Sequence, residues 1–347
     1  MLAEFEKLLS RFIPQPTKIQ SLTKLSEHAS YRSYFRVHLE DQSSYIVMKL
    51  PVGVSSVSEE VTKSNQAIQE LPFINVQRYL SSLSIRIPKI YGWDESLHLM
   101  LLEDLGDNLL ENLLSNASAA TQETWYQKAI DLLVAIQHKT ALSQDQTCIA
   151  FHRHFDDFLL NWEFDHFLEY GIEDRLQLKV SPAEKKEFEK LTRPLTEAIL
   201  KFPKSWVHRD FQSRNLIYHA EQLYLLDFQD ALIGPSIYDL VSLLRDSYIA
   251  LDWQTVERLI DYYFQQQKRI SLFQLPKEEC FTFFHLVTLQ RKLKDTGRFQ
   301  YIHTVKKNSD FLKHVPNSIN HIKEAFKRLP KAQTLQQWIG RYLPEIL

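Results

Sequence analysis

Asp210, Asn215 and Asp227 carry side chains that together suit phosphoryl transfer. They stand in the stretch WVHRDFQSRNLIYHAEQLYLLDFQD, from Trp206 to Asp230. A carboxylate on a loop can accept the proton of an acceptor hydroxyl. An amide five residues later can fold back to hold a divalent metal ion. A second carboxylate, after a strand, can reach the metal from the other side. A polar hairpin with Asp and Asn at its turns would share some of these residues. It would not require the whole set: His-Arg-Asp, an Asn at fixed offset, a strand-turn-strand, and Asp-Phe closing the apolar run Leu223 to Leu226.

The order is that of a kinase catalytic segment, H-R-D-x-x-x-x-N followed by D-F. Here Gln229-Asp230 follows Asp227-Phe228 where a protein kinase has glycine. His208 and Arg209 are then packing residues of the loop. Gln212, Gln229 and Asp230 flank the reactive positions and are candidates to grip an acceptor. Lys49 lies in the apolar strand YIVMKL, on the face of Val47 and Tyr45. A lysine there is costly unless paired. Nucleotide phosphates would pair it, and an edge-strand lysine guarding against aggregation is the alternative. Its helix partner would come from Glu59, Glu60 or Glu70, with Glu70 favoured. The turn SEHASYRS, residues 26–33, sits where a phosphate-covering loop belongs but holds no glycine. Its backbone N–H groups and the hydroxyls of Ser30 and Ser33 could donate to phosphate instead. His152-Arg153-His154 does not suggest a metal site, since residues i and i+2 do not share a helix face.

Several elements must position these groups. The chain has 347 residues, enough for two domains or one two-lobed unit. It is 44% apolar and 24% charged, which marks it as globular. A formal charge of −2 gives no basic excess for nucleic acid or an anionic membrane surface. No apolar run approaches the ~20 residues of a membrane span. Only Cys148 and Cys280 occur, so no disulfide framework or thiolate metal cluster is available, which fits a cytoplasmic protein. The N-terminus reads as a short amphipathic helix rather than a signal peptide. Alternating residues predict strands between about 18 and 50, at Ile85–Ile90 and at Leu97–Leu102. A helix is expected near Phe73–Leu83. From Leu109 onward the pattern is helical: Leu109–Leu114, Thr121–Gln137, His154–Tyr170, Pro182–Leu200, Asp239–Tyr248, Trp253–Gln267 and Lys277–Lys294. The expected fold is α+β, protein-kinase-like and two-lobed. A small antiparallel-sheet lobe, residues 1–105, would bind nucleotide. A larger helical lobe, residues 106–347, would carry the reactive loop and the acceptor.

The segments VHRDFQSRN and LLDFQDALIGPSIYDLVSLLRDSYI resemble the aminoglycoside phosphotransferase-like branch of the protein-kinase-like fold. Within that branch the chain is most similar to bacterial anomeric kinases of N-acetylmuramate and N-acetylglucosamine. SYRSYFRV with VMKLP, PKIYGWDESLHLMLLEDLGD, and TLQRKLKDTGRF carry that closer likeness. Together they cover about Ser26 to Arg298. The resemblance implies ATP and Mg2+ as cofactors, Asp210 as base, Asn215 and Asp227 as metal ligands, and Lys49 as phosphate clamp. Glu103, Asp104 and Leu105 would meet adenine through backbone groups. Asp239 would anchor the catalytic loop. The acceptor would be a sugar C1 hydroxyl, giving a sugar 1-phosphate for peptidoglycan recycling.

For the acceptor side, Glu163, His166, Phe167 and Tyr170 fall at i, i+3, i+4 and i+7, one helix face that would suit a sugar ring. The same pattern describes an amphipathic core helix. Arg245 could meet an anionic group or form an internal ion pair. Kinases of an aminoglycoside, choline or an amino alcohol are the alternative enzymes, and a pseudokinase scaffold is the non-enzyme reading. A protein kinase is disfavoured, because only eight residues separate Asp230 from Asp239.

Overall fold

A computed structural model describes residues 1–25, 32–51, 70–270 and 275–347. The first part is an antiparallel sheet. Helix α1 (Leu2–Phe12) precedes β1 (Ile19–Lys24), β2 (Ser33–Leu39) and β3 (Ser44–Lys49). After α2 (Pro72–Ser82) come β4 (Ile90–Asp94) and β5 (Leu99–Glu103). The five strands lie in the order β1-β2-β3-β5-β4.

Strand alternation gives this sheet two apolar faces. Phe35, Val37, Val47, Leu99 and Leu101 pack against Phe5, Leu8 and Leu9 of α1. Those three α1 residues recur at helical spacing, so the short N-terminal helix buries a single stripe. Ile46, Met48, Leu50, Met100 and Leu102 face the other way, toward α2 and the helical part. The register fixes which residues share a face: Ser33 pairs with Lys49, Tyr34 with Met48, and Lys49 with Leu99.

The expected strand over Ile85–Ile90 begins only at Ile90. Pro88 cannot donate to a ladder. Arg86 instead reaches the hairpin that follows the reactive loop, donating from Nε to the Leu223 carbonyl while its own carbonyl accepts the Leu225 N–H.

The helical part opens with α3 (Leu110–Ser115), α4 (Ala119–Leu142), α5 (Asp157–His166) and α6 (Pro182–Lys201). Ser118 and Asp156 cap α4 and α5, and Ser181 with Glu184 forms a capping box on α6. Strands β6 (Lys204–Val207) and β9 (Leu232–Pro235) pair, and enclose the hairpin β7 (Leu216–His219) and β8 (Gln222–Leu225). Then follow α7 (Tyr238–Leu244), α8 (Trp253–Arg269), α9 (Lys277–Thr304), α10 (Val315–Arg328) and α11 (Gln333–Gly340).

The helix expected over His154–Tyr170 starts three residues late. Phe155 N–H donates to Ile233 of β9, and Ile233 N–H to Arg153, so this stretch is extended. At the other end the chain widens into a π-helical segment, Phe167–Asp174. That segment packs tightly on α9. A Cβ on Gly297 would stand only 2.8 Å from the His166 carbonyl oxygen, so glycine permits the approach. Helix α9, expected to end at Lys294, runs on to Thr304 across this contact.

Candidate active site

The reactive loop leaves β6 at Val207 and is tied down at both ends by buried carboxylates. Asp239, at the start of α7, accepts the backbone N–H of His208 at 2.7 Å and of Arg209 at 2.9 Å. Burial pushes the Asp239 carboxyl up to about 6 despite His208 and those two bonds. Arg209 takes a left-handed conformation, φ 78°, unusual for a residue with a Cβ. At the far end, Asp246 accepts both the N–H and the hydroxyl of Ser213. The His208 ring contacts the Leu226 carbonyl through Nε2 at 2.8 Å, joining the loop to the chain just before Asp227.

Between these ties, Asp210, Asn215 and Asp227 converge. Asn215 donates its side-chain NH2 to the Asp210 carbonyl at 2.8 Å, which leaves its amide oxygen as an acceptor. The Asn215 carbonyl accepts the Leu226 N–H, so Asn215 and Asp227 sit on adjacent chain segments. Asp227 also adopts a left-handed conformation, φ 58°. Its Oδ1 accepts from Gln229 Nε2 at 3.0 Å. The same Gln229 nitrogen reaches Asp230 Oδ2 at 3.0 Å, and the buried Gln229 carbonyl is held by Arg153. Phe228 is buried, its ring 4.8 Å from that of Phe73 on α2.

Asp210 is 49% exposed, and its Oδ1 accepts from Nη2 of Arg291 at 2.9 Å. Arg291 rises from α9, is fully buried, and also donates to the Arg209 carbonyl at 2.7 Å and the Tyr238 hydroxyl at 3.0 Å. Desolvation alone would raise the Asp210 carboxyl. Arg291, Lys294 and Arg209 outweigh it and hold the carboxyl well below the usual range. Gln212 is half-buried beside it, with its N–H on the Asp210 carbonyl.

The other positions singled out in the sequence are distributed differently. Glu163 is fully buried behind Arg209, accepting from Arg209 at 3.4 Å and from Gln290, with Lys294 at 3.7 Å. Burial pushes its carboxyl up against the pull of Lys294. His166 and Phe167 are buried too, the His166 ring against Trp162 and Tyr170. Arg245 forms an internal pair with Glu324 at 2.9 Å. Lys49 and Ser33 share the sheet face that packs on α1. Glu70 is held by Arg78 and by Asn75 rather than by Lys49. Ser30, Glu59 and Glu60 lie outside the described residues. Beyond β5, Arg36 ties down the turn: it contacts Asp104 at 2.8 Å, Asp107 at 2.8 Å and the Gly106 carbonyl at 3.0 Å. Asp104 is thereby engaged through its side chain, Glu103 accepts the Lys89 N–H, and the Leu105 carbonyl contacts His219.

Among the described residues there is no group of three or more His, Cys, Asp or Glu side chains placed to hold a metal. A metal that takes phosphate oxygens and water needs fewer protein ligands. The Asp227 carboxylate and the free Asn215 amide oxygen fit that smaller set.

Residues 21–273 match the phosphotransferase enzyme family. The chain belongs to that family. It is a kinase, and kinase-named relatives extend the likeness over most of its length. It is 29% identical to an N-acetylmuramate/N-acetylglucosamine kinase of Pseudomonas putida, covering 92% of this chain and 88% of that one. It is 27% identical to the Neisseria meningitidis enzyme of the same name, covering 90% and 88%. Among solved structures, the kinase superposes on an ADP-bound aminoglycoside phosphotransferase with a TM-score of 0.58, at 16% identity over 93% of this chain and 98% of that one. That likeness places the kinase in the protein-kinase-like fold, with its antiparallel sheet ahead of a larger helical part.

Arg291, Lys294 and Asp246 were missed as site residues in the sequence. The signal available for the two cations was the charge cluster QRKLKD directly after the apolar run FTFFHLVTL, where a cation that becomes buried requires a partner; Asp246 had no comparable signal.

Proposed function

We propose that this kinase transfers the γ-phosphoryl group of ATP, with Mg2+, to the C1 hydroxyl of N-acetylmuramate or N-acetylglucosamine. The product is a sugar 1-phosphate that returns wall sugars to peptidoglycan synthesis in the cytoplasm. The observation that carries the reading is Asp210: a half-exposed carboxylate held by Arg291 on the loop that also bears Asn215. The curated relatives, named for these two sugars, support the acceptor class. In this reading residues up to about 105 form the nucleotide lobe, with the backbone of 103–105 beside adenine. Residues 106–347 form the acceptor lobe.

Asp210 orients the acceptor hydroxyl and takes its proton. Its ionised state is secured by Arg291, so it is ready as an acceptor at neutral pH. Asn215 and Asp227 hold the metal, which when bound neutralises charge on the phosphates. Gln212 and Asp230 would grip the acceptor, with buried Gln229 holding the carboxylates of Asp227 and Asp230. Glu163 acts from behind the loop, on Arg209. A cationic acceptor such as an aminoglycoside or choline would draw on accessible carboxylates, and the Glu163 carboxylate is already surrounded by Arg209, Lys294 and Gln290.

Phosphorus NMR of the product tests the assignment. The phosphate should appear on C1 of either free sugar. A methyl glycoside, blocked at that oxygen, should bind without reacting. Phosphorylation of the methyl glycoside at the rate of the free sugar refutes the C1 reading.

A further inference from the structure

We propose that Arg32, rather than Lys49, is the cation of the sheet that meets the nucleotide's phosphates. The proposal rests on the kinase reading of the Asp210–Asn215–Asp227 site. Its ground is strand geometry. Residues paired across adjacent strands share a face, and each step along a strand changes face. Lys49 pairs with Ser33 and Leu99, so it shares the face of Val47 and Phe35 that packs on α1. Tyr34 pairs with Met48, on the face turned toward α2 and the helical part. Arg32, two residues before Tyr34, follows that face. It lines a small recess with Met48, Leu50, Leu71, Phe73 and Met100.

Position agrees with alternation. Nη1 of Arg32 lies 3.6 Å from Asp227 Oδ1, and the side chain is 13% exposed. A guanidinium keeps its charge across the working pH range. A permanent cation is thus delivered from the sheet to a proposed metal ligand. A guanidinium suits such a half-enclosed place, being weakly hydrated and shaped to donate two parallel bonds to phosphate oxygens. Lys49 lacks the face, and Glu70, the one candidate partner among the described residues, is engaged by Arg78 and Asn75.

Isothermal calorimetry on the full chain tests this with adenosine, ADP and ATP in the presence of Mg2+. A charge-assisted hydrogen bond contributes about 1.5–3 kcal/mol, so Arg32→Gln should weaken ATP by roughly ten- to a hundredfold. Its adenosine affinity should stay within about twofold, because only the phosphates lose a partner. Arg32→Lys should recover part of the loss, and Lys49→Gln should bind ATP like the wild type. Equal losses for adenosine and ATP in Arg32→Gln would mean a structural role and overturn the proposal. So would an ATP loss in Lys49→Gln as large as that in Arg32→Gln. A wild type that binds no adenine nucleotide refutes the kinase reading itself, a result separate from either of these.

Discussion

Replacing Arg291 by Gln should raise the pH at which the Asp210 carboxylate takes up a proton, without bringing it near neutrality. Arg291 is fully buried and lies 2.9 Å from Asp210, whose carboxyl it depresses. Two unit charges at about 4 Å interact by ~1 kcal/mol in water and ~4 kcal/mol at a protein-surface dielectric. Asp210 is 49% exposed, so solvent screening favours the lower half of that range. At 1.36 kcal/mol for each pH unit, the carboxyl should rise by about one to two pH units. The sign follows from the depressed starting value. In the wild type Asp210 stays ionised down to strongly acidic pH and sets no acid limb near neutrality. In the variant its protonation enters from below, and the fall of kcat/KM with falling pH should begin about one to two pH units higher than in the wild type, still on the acid side of about pH 4. Arg291 also holds the Arg209 carbonyl and the Tyr238 hydroxyl. A lower kcat at every pH is therefore expected as well, and Arg291→Lys, lacking the planar fork, should restore the acid limb better than the maximal rate. The assay is kcat/KM against pH for the three proteins. A lower rate with an unmoved acid limb would show that Arg291 acts only by shaping the loop, and would refute the electrostatic reasoning.

Asp210→Asn should lower kcat by about 10²–10⁴-fold with nucleotide affinity retained, since the loop keeps its ties to Asp239 and Asp246; near-wild-type turnover would remove Asp210 from the chemistry. Asp227→Ala should weaken Mg2+-dependent ATP binding more than Asn215→Ala, because a carboxylate brings a formal charge to the metal and an amide only a dipole. Magnesium titrations of nucleotide affinity read this, and small equal effects contradict the site. Gly297→Val should destabilise the fold by about 1–3 kcal/mol or more, because its Cβ meets the backbone of His166 and Phe167 rather than a yielding side chain. A thermal midpoint equal to that of the wild type would show that the α9 contact is loose.

What was legible in the sequence is what the chain keeps local. Asp210 and Asn215 fall on one loop and Asp227 two residues past the hairpin that follows it, so their spacing nearly determines their meeting. The sheet shows the opposite case. Val47 and Met48 are both buried, one under α1 and the other toward α2, so the strand reads as apolar on both faces. Nothing in YIVMKL marks which face meets the helical part, and a one-residue difference decides between Lys49 and Arg32. Glu163, His166 and Phe167 share a side as their spacing requires. That side turns out to be interior, and Tyr170, in the π-helical segment, packs on His166. Arg291 is separated from Asp210 by 81 positions, and only the packing of α9 over the π-helical segment brings them together.

The electrostatics of the loop bear on the acceptor. A carboxylate depressed by a buried guanidinium is a weak base, poorly suited to pulling a proton from an ordinary alcohol. Phosphoryl transfer through a loose transition state asks less of its base, because the hydroxyl proton leaves late. It asks still less when the hydroxyl is comparatively acidic, as an anomeric one is. Arg291 therefore trades basicity for placement: it fixes Asp210 against a left-handed Arg209 and leaves the carboxylate half-exposed. Behind it, Glu163 sits among Arg209, Lys294 and Gln290, so the cations around Asp210 are themselves partly balanced. An acceptor needing a strong base would be served by a less tightly paired aspartate. The pairing seen here fits a hydroxyl that needs orientation more than deprotonation, and the C1 hydroxyl of an amino sugar meets that requirement.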